Sequence, residues 1–446
     1  MIVKTEILPG VTLRCYPDLR FKQARLSVQF VRPMCREEAA LNALLPAIFL
    51  QGTKLYPDAR AVTIRLDELY GASVGTLARR VGDYQTTGLY MAFLDDRFSL
   101  GGEPVLAPMV EMTRELLFAP ATENGVFVKE HLENEKRNLI AAIEAQRNDK
   151  RLYAATRLTQ LMCRGDSLGV PRLGTVADVQ AITPESLYAH YEKVLKESQL
   201  EVFYVGSADP KEVADLLKKM LADLPRAYTA LPPQGEFQDA GGEEHEEALD
   251  VAQGKLCMGF VTPVTLRTTQ FAAMQVANTL FGGGMTSKLF MNVREKLSLC
   301  YDISSSYHGS KGILSVAAGI DCGKVEQVRE EILRQLQAIC DGDFTEEELH
   351  AAKQAICTSL QTTHDSTGSI ESYYSTTALS GLGMTPAVYI RAAEQVCANE
   401  VAALFKTVKL HTVYFLKGVQ ARAGEIMQAF QKRYSEEPLQ TGCRGW

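Results

Sequence analysis

The order of strand-like and helix-like stretches in this chain repeats on either side of residues 225–247. That segment combines Leu231-Pro232-Pro233-Gln234-Gly235 with Gly241-Gly242-Glu243-Glu244-His245-Glu246-Glu247. Proline, glycine and an acidic run together read as a solvated linker near the midpoint of the chain. An alternating apolar strand opens each half, at 24–30 and at 254–260. A second pair of strand-like runs lies at 83–93 and 312–320, and a long helical stretch follows each, at 127–145 and 345–360. Each half closes on a helix, a strand and a glycine: 186–195 then 200–206, and 400–407 then 412–418. Thr183-Pro184 and Asp209-Pro210 are favourable helix starts, because the first side chain caps the opening turn and proline has no N–H left unbonded there. Strands followed by runs of helices favour α+β layers, an antiparallel sheet with helices packed on one face. The expectation is two homologous domains of this kind, 1–224 and 248–446, joined by 225–247.

At 446 residues the chain is long enough for each half to bury its own core. Hydrophobic residues make up 46% and charged ones 23%, the balance of a soluble globular protein. A net charge of −7 argues against nucleic acid as a partner, and the basic pairs Arg79-Arg80 and Lys218-Lys219 read as solvated faces. The cysteines, at 15, 35, 163, 257, 300, 322, 340, 357, 397 and 443, form no Cys-x-x-Cys pair, and several have apolar neighbours. They read as reduced core thiols of an intracellular protein, not as a disulfide framework or a zinc ribbon. The opening Met1-Ile2-Val3-Lys4-Thr5-Glu6 lacks the layout of a signal peptide, and no apolar run approaches the length of a membrane span. A cytoplasmic protein of bacterial type, with no membrane span, is the expectation.

One stretch is more specific than any of this. Leu280-Phe281-Gly282-Gly283-Gly284-Met285-Thr286-Ser287-Lys288-Leu289-Phe290 leads into Met291-Asn292-Val293-Arg294-Glu295-Lys296-Leu297-Ser298-Leu299-Cys300-Tyr301. A glycine loop opens an amphipathic helix whose buried stripe is Leu289, Phe290, Val293 and Leu297, and a strand starts at Tyr301. The glycines are no phosphate cradle, since Ser287-Lys288-Leu289 breaks the pattern a P-loop needs. The run resembles the C-terminal-domain signature of the insulinase/pitrilysin zinc metallopeptidases, a family that includes mitochondrial processing peptidase. The resemblance spans nearly the whole chain and is specific around 281–301 and 49–71. It implies the same duplicated α+β fold. It also implies that Arg294 and Tyr301 project toward an active site and hold the substrate backbone near the scissile bond. In two-chain members, these residues come from the chain without zinc.

The family's other signature is absent. Members carry His-x-x-Glu-His shortly before a Gly-Thr turn, and here Ala43-Leu44-Leu45-Pro46-Ala47 precedes Gly52-Thr53. Ala43 and Ala47 take the places of the two histidines, and Pro46 that of the glutamate. Two histidines four apart share a helix face and grip one Zn²⁺, while the glutamate takes a proton from the metal-bound water. Alanine offers no ligand, and proline no base. The third ligand, a glutamate on a later helix, falls at Ala142, with Glu135 at the supporting position two turns earlier. The family's Asn-Ala is replaced by Gly75-Thr76. The resemblance therefore implies a catalytically inactive chain with no cofactor of its own. It would bind substrate in a heterodimer with a paralogue that keeps the motif and the zinc, the pair acting on peptides. A peptide-binding or scaffold protein with no such mate, as a homodimer for instance, is the alternative. Other hydrolase chemistry is poorly supported. The histidines at 131, 190, 245, 308, 350, 364 and 411 include no i,i+4 pair, and His131 beside Glu130, Glu133 and Glu135 reads as a solvated helix face. His364-Asp365-Ser366 are consecutive, whereas triad members converge in space.

Overall fold

The computed structural model describes residues 2–418. A first sheet is built from β1 (Val3–Leu8), β2 (Val11–Pro17), β3 (Gln23–Pro33), β4 (Ser73–Val81) and β5 (Tyr84–Leu94). A minimal hairpin follows, β6 (Thr122–Glu123) with β7 (Val126–Phe127), and then β8 (Gln199–Gly206) completes the sheet in the order β1-β2-β8-β3-β5-β4. The second sheet holds β9 (Glu244–Leu249), β10 (Gly254–Val261), β11 (Cys300–His308), β12 (Ile313–Ile320) and β13 (Lys409–Gly418), ordered β11-β12-β10-β13-β9. Neighbours run antiparallel except for β2 with β8 and β9 with β13. These parallel pairs occupy matching places, each formed by the strand that closes its half. The α+β architecture read from the sequence is the one observed.

Between the strands of the first half lie α1 (Arg36–Ile48), α2 (Ala59–Glu68), α3 (Leu106–Phe118), α4 (Lys129–Asn148), α5 (Lys150–Met162), α6 (Val176–Gln180), α7 (Pro184–Glu197) and α8 (Pro210–Leu221). The second half adds α9 (Phe271–Gly282), α10 (Val325–Cys340), α11 (Glu346–Gln361), α12 (Thr367–Ser380), α13 (Pro386–Gln395) and α14 (Ala398–Phe405). Helix starts follow the local chemistry. Thr183 caps α7 in a capping box with proline next, and Asp209 accepts from the Lys211 N–H ahead of α8. One core gathers Leu26, Val28 and Phe30 of β3 with Leu44, Phe49 and Leu116. The other gathers Met258 and Phe260 of β10 with Val276, Phe281 and Ile332.

The opposite face of each sheet is covered by a helix from the other half. Ala154 and Leu158 of α5 pack on Cys257, Tyr414 and Leu416 of the second sheet. Gly259 in β10 is what lets α5 lie so close, since a Cβ there would sit 2.6 Å from the Met162 sulfur. In return, Ile370 of α12 packs on Phe203 and Val205, and Leu379 on Val31, Val81 and Tyr84. Glu371 of α12 is fully buried there. It accepts from Ser27 Oγ at 2.9 Å, Gln29 Nε2 at 3.1 Å and both terminal nitrogens of Arg79 at 3.1 and 3.0 Å, with Arg25 Nε 3.7 Å away. So β3 alternates between Ala24, Leu26, Val28 and Phe30 toward its own helices and Arg25, Ser27 and Gln29 toward α12.

Three local expectations are corrected. Residues 225–247 are not a solvated linker throughout. Gln234 accepts from the Asp83 N–H at 2.7 Å and donates to the Val81 and Leu379 carbonyls, while Lys311, 5% exposed, donates to the Gly235 and Glu236 carbonyls at 3.3 and 3.4 Å. The acidic run then enters β9, where Glu247 accepts from Tyr153 and Tyr414 at 2.7 and 2.9 Å. Arg79-Arg80 is not a solvated face: Arg79 holds Glu371, and Arg80 donates to the Leu168 and Val170 carbonyls. Leu297 is 41% exposed, outside the buried stripe, because the helix stops short of it. The cysteines among the described residues are free thiols, and burial carries Cys15, Cys163 and Cys257 up to about 12, which keeps them protonated and unreactive. Cys443 lies outside the described residues. Among these residues no helix is long and apolar enough to cross a membrane.

Candidate functional site

The positions that the resemblance assigns to zinc lie on α1 and α4, which pack together. Ala43 and Ala47 share a half-buried face of α1, one turn apart, and Pro46 is buried within the helix. Proline has no N–H for the carbonyl four residues earlier. The Asn42 carbonyl is satisfied instead by Thr87 Oγ1, which donates at 2.7 Å from β5. On α4, Glu135 accepts from Gln51 Nε2 at 2.7 Å, and Ala142 is exposed. Three methyl groups and a pyrrolidine ring cannot coordinate a metal or move a proton. Among the described residues no three His, Cys, Asp or Glu side chains are grouped to hold an ion.

Beneath α1 lies a polar chain that the sequence reading missed. His190 Nε2 sits 2.8 Å from Asn42 Oδ1, and Asn42 Nδ2 donates to Gln85 Oε1 at 3.0 Å. Asn42 Oδ1 is thus an acceptor, so the His190 nitrogen facing it, Nε2, carries a proton. Burial pushes the His190 pKa down to about 4, Glu38 opposing it while Arg32 and Lys193 add to it. The usual value near 6.5 applies in the unfolded chain, so the unfolded state binds the proton more readily. Stability from this group is full above pH 6.5 and is lost as the pH falls toward 4. Between pH 7 and pH 5 the loss is about 2 kcal/mol. Urea unfolding at the two pH values should show this loss for the native chain and a much smaller one for His190→Gln. An unchanged pH dependence in the variant would contradict the assignment.

The Arg294–Tyr301 region is a different kind of surface. Gly282 closes α9 against β11, where a Cβ would stand 2.7 Å from the Ser305 nitrogen, and Ser287 Oγ then bonds the Gly284 carbonyl at 2.6 Å. Leu289–Lys296 winds as a π-helix, wider than the α-helix expected. Leu289 and Val293 anchor it with no exposure. Ser298 then turns with a φ of 49°, and the Leu299 N–H reaches back to the Val293 carbonyl at 3.0 Å. Leu299 packs against the core in the place foreseen for Leu297. Arg294 lies over the Phe290 ring, 4.6 Å from its centre, with its side chain 41% exposed and Glu295 3.6 Å away. Burial and the nearby Asp302 carry the Cys300 pKa up to about 11, with Arg294 pulling it the other way. Next to Cys300, Tyr301 is 56% exposed, and Met285 and Met291 are open to solvent at 75% and 47%. A guanidinium, a phenol and two apolar side chains are thus left open to solvent along this ledge. Among the described residues, no hydrogen bond or ion pair joins this ledge to the α1–α4 positions.

At the edge of the first sheet, Arg172 donates to the Ala78 carbonyl of β4, and Arg80 of the same strand donates to the Leu168 carbonyl.

Two α+β halves, one with alanines and a proline where the resemblance looks for the zinc motif, define a metallopeptidase homologue without that motif. A family profile described as the peptidase M16 inactive domain matches residues 181–356. The chain is 31% identical over 411 residues to the probable inactive metalloprotease YmfF of Bacillus subtilis (strain 168), covering 92% of this chain and 96% of that one. It superposes on the crystal structure of a conserved protein from Enterococcus faecalis V583 with a TM-score of 0.89 at 30% identity, covering 94% of this chain and 99% of that one. The peptidase M16 inactive domain from Pseudomonas fluorescens shares the fold with a TM-score of 0.79 at 16% identity, covering 94% and 99%. The chain belongs to the peptidase M16 family.

Proposed function

We propose that this chain is the non-catalytic, substrate-binding subunit of a heterodimeric M16 zinc peptidase that acts on peptides in the cytoplasm. One observation carries the reading. On α1 a proline, Pro46, stands inside the helix with Thr87 bonded to the carbonyl it leaves free, between two alanines that offer no ligand, while the Arg294–Tyr301 ledge stays open. In this reading 1–224 and 248–446 are the two homologous domains. The mate is a paralogue that keeps His-x-x-Glu-His, and its zinc brings a bound water to a pKa of around 7. The peptide lies extended on a sheet edge of the mate, held by main-chain hydrogen bonds. Arg294 and Tyr301 donate to its carbonyl or to the oxyanion that develops there. Each such donor is worth roughly 3 kcal/mol in the transition state.

Co-expression of this chain with an M16 paralogue of intact motif from the same genome tests the assembly. Co-elution as a stable pair is expected. Elution of this chain as a homodimer that ignores the paralogue would move the reading to a peptide-binding or scaffold protein without a peptidase mate.

A further inference from the structure

The π-helical turn needs something to hold it. In an α-helix the Leu297 N–H would bond the Val293 carbonyl, but here it is shared between the Asn292 carbonyl, at 3.1 Å, and that of Arg294, leaving Val293 for Leu299. This wide winding is the less favoured one, and it relaxes to the α form unless its neighbours oppose that. The opposing contact is visible. Asn292, whose carbonyl makes the wide bond, donates through Nδ2 to Gln335 Oε1 of α10 at 2.8 Å. Gln335 Nε2 donates in turn to Glu331 Oε1 at 2.7 Å, which fixes which way its amide faces. Gln335 is 9% exposed and Glu331 5%, so neither partner is easily replaced by water.

We propose that Gln335, acting through Asn292, is a positioning residue. It holds the wide turn whose far side carries Arg294 and whose exit leads into Tyr301. Without the Gln335 contact, the turn can shift to the α register. Leu297 then takes the Val293 carbonyl, Leu299 loses its bond, and the ledge rotates. The functional part of this inference rests on the substrate-binding role proposed above, but the geometric part does not.

Amide hydrogen exchange on the purified chain is the first test. Gln335→Leu should speed exchange at Leu299, whose N–H loses its acceptor, about tenfold or more, while Leu297 and Ser298 stay bonded and α11 and β12 keep their protection. Asn292→Ala, which removes the other partner from a less buried site, should do the same if Gln335→Leu proves unstable. The reciprocal exchange, Asn292→Gln with Gln335→Asn, keeps the summed side-chain length and should restore protection. Unchanged exchange in both single variants would overturn the proposal.

The second test uses the assembled heterodimer and a fluorogenic peptide. Gln335→Leu should lower kcat/KM by about as much as Arg294→Ala, and the double variant should be little worse than either, because both act through one group. If Arg294→Ala is impaired while Gln335→Leu keeps native rates, the positioning role fails and the substrate-binding reading survives. If Arg294→Ala itself keeps native rates, the substrate-binding reading fails and the exchange result alone decides the geometry.

Discussion

Arg294→Ala in the assembled heterodimer should lower kcat/KM on the order of tenfold to a thousandfold while leaving folding and assembly intact. Arg294 is seated on the Phe290 ring and partly exposed, so truncation removes little buried surface. An ordinary surface arginine would change stability by less than about 0.5 kcal/mol and leave turnover alone. The loss should appear in kcat if the guanidinium bonds the oxyanion more strongly than the substrate carbonyl. Arg294→Lys should recover only part of it, because a point ammonium cannot offer the planar fork of donors. Tyr301→Phe should act in the same direction by removing one hydroxyl donor. Steady-state rates for the assembled variants are the measurement. Native rates in an assembled Arg294→Ala complex would reduce the Arg-Tyr signature to a structural motif.

Glu371→Ala should destabilise the chain by about 3–5 kcal/mol. The carboxylate is fully buried and is the anion shared by Arg79 and Arg25, whose side chains are 26% and 14% exposed. Burial already pulls the Arg25 pKa down, with Glu371 opposing that pull. Removing the anion leaves guanidinium groups desolvated and without their counter-charge, while Ser27 and Gln29 lose their acceptor. Because α12 covers the first sheet from the other half, the damage should weaken the hold between halves. Urea unfolding of the variant should therefore begin at lower denaturant and can separate into two transitions. A shift of less than about 1 kcal/mol with one sharp transition would show that α12 is held by its apolar contacts alone.

Much of the fold was legible because it rests on local signals. Thr183-Pro184 and Asp209-Pro210 capped the helices they promised, and the runs at 24–30 and 254–260 lie within β3 and β10. The exchange of α5 and α12 was not legible. A helix's own residues show that one face is apolar, but not which sheet will receive it. Glu371 meets Ser27 across a separation of 344 residues, and no local pattern marks that pairing. The acidic β9 read as linker because its charges find partners only in three dimensions, with Glu244 on Arg329 and Glu247 on Tyr153 and Tyr414. On α1 the sequence shows Pro46 within a helical run, but not the hydrogen bond from Thr87 to the Asn42 carbonyl that makes it tolerable. The ledge showed the reverse pattern. Its residues were plain in the sequence, but the π winding hid, because Leu289, Val293 and Leu297 fit an ordinary amphipathic stripe.

The most direct measurement counts zinc and peptide hydrolysis together, in this chain alone, in its paralogue alone and in the assembled pair. No stoichiometric zinc and no hydrolysis are expected for this chain by itself. One zinc per heterodimer, hydrolysis by the pair, and loss of both when the paralogue's histidines are replaced are expected for the assembly. One tightly held zinc in this chain alone, with peptide hydrolysis that a chelator abolishes, would contradict the non-catalytic reading.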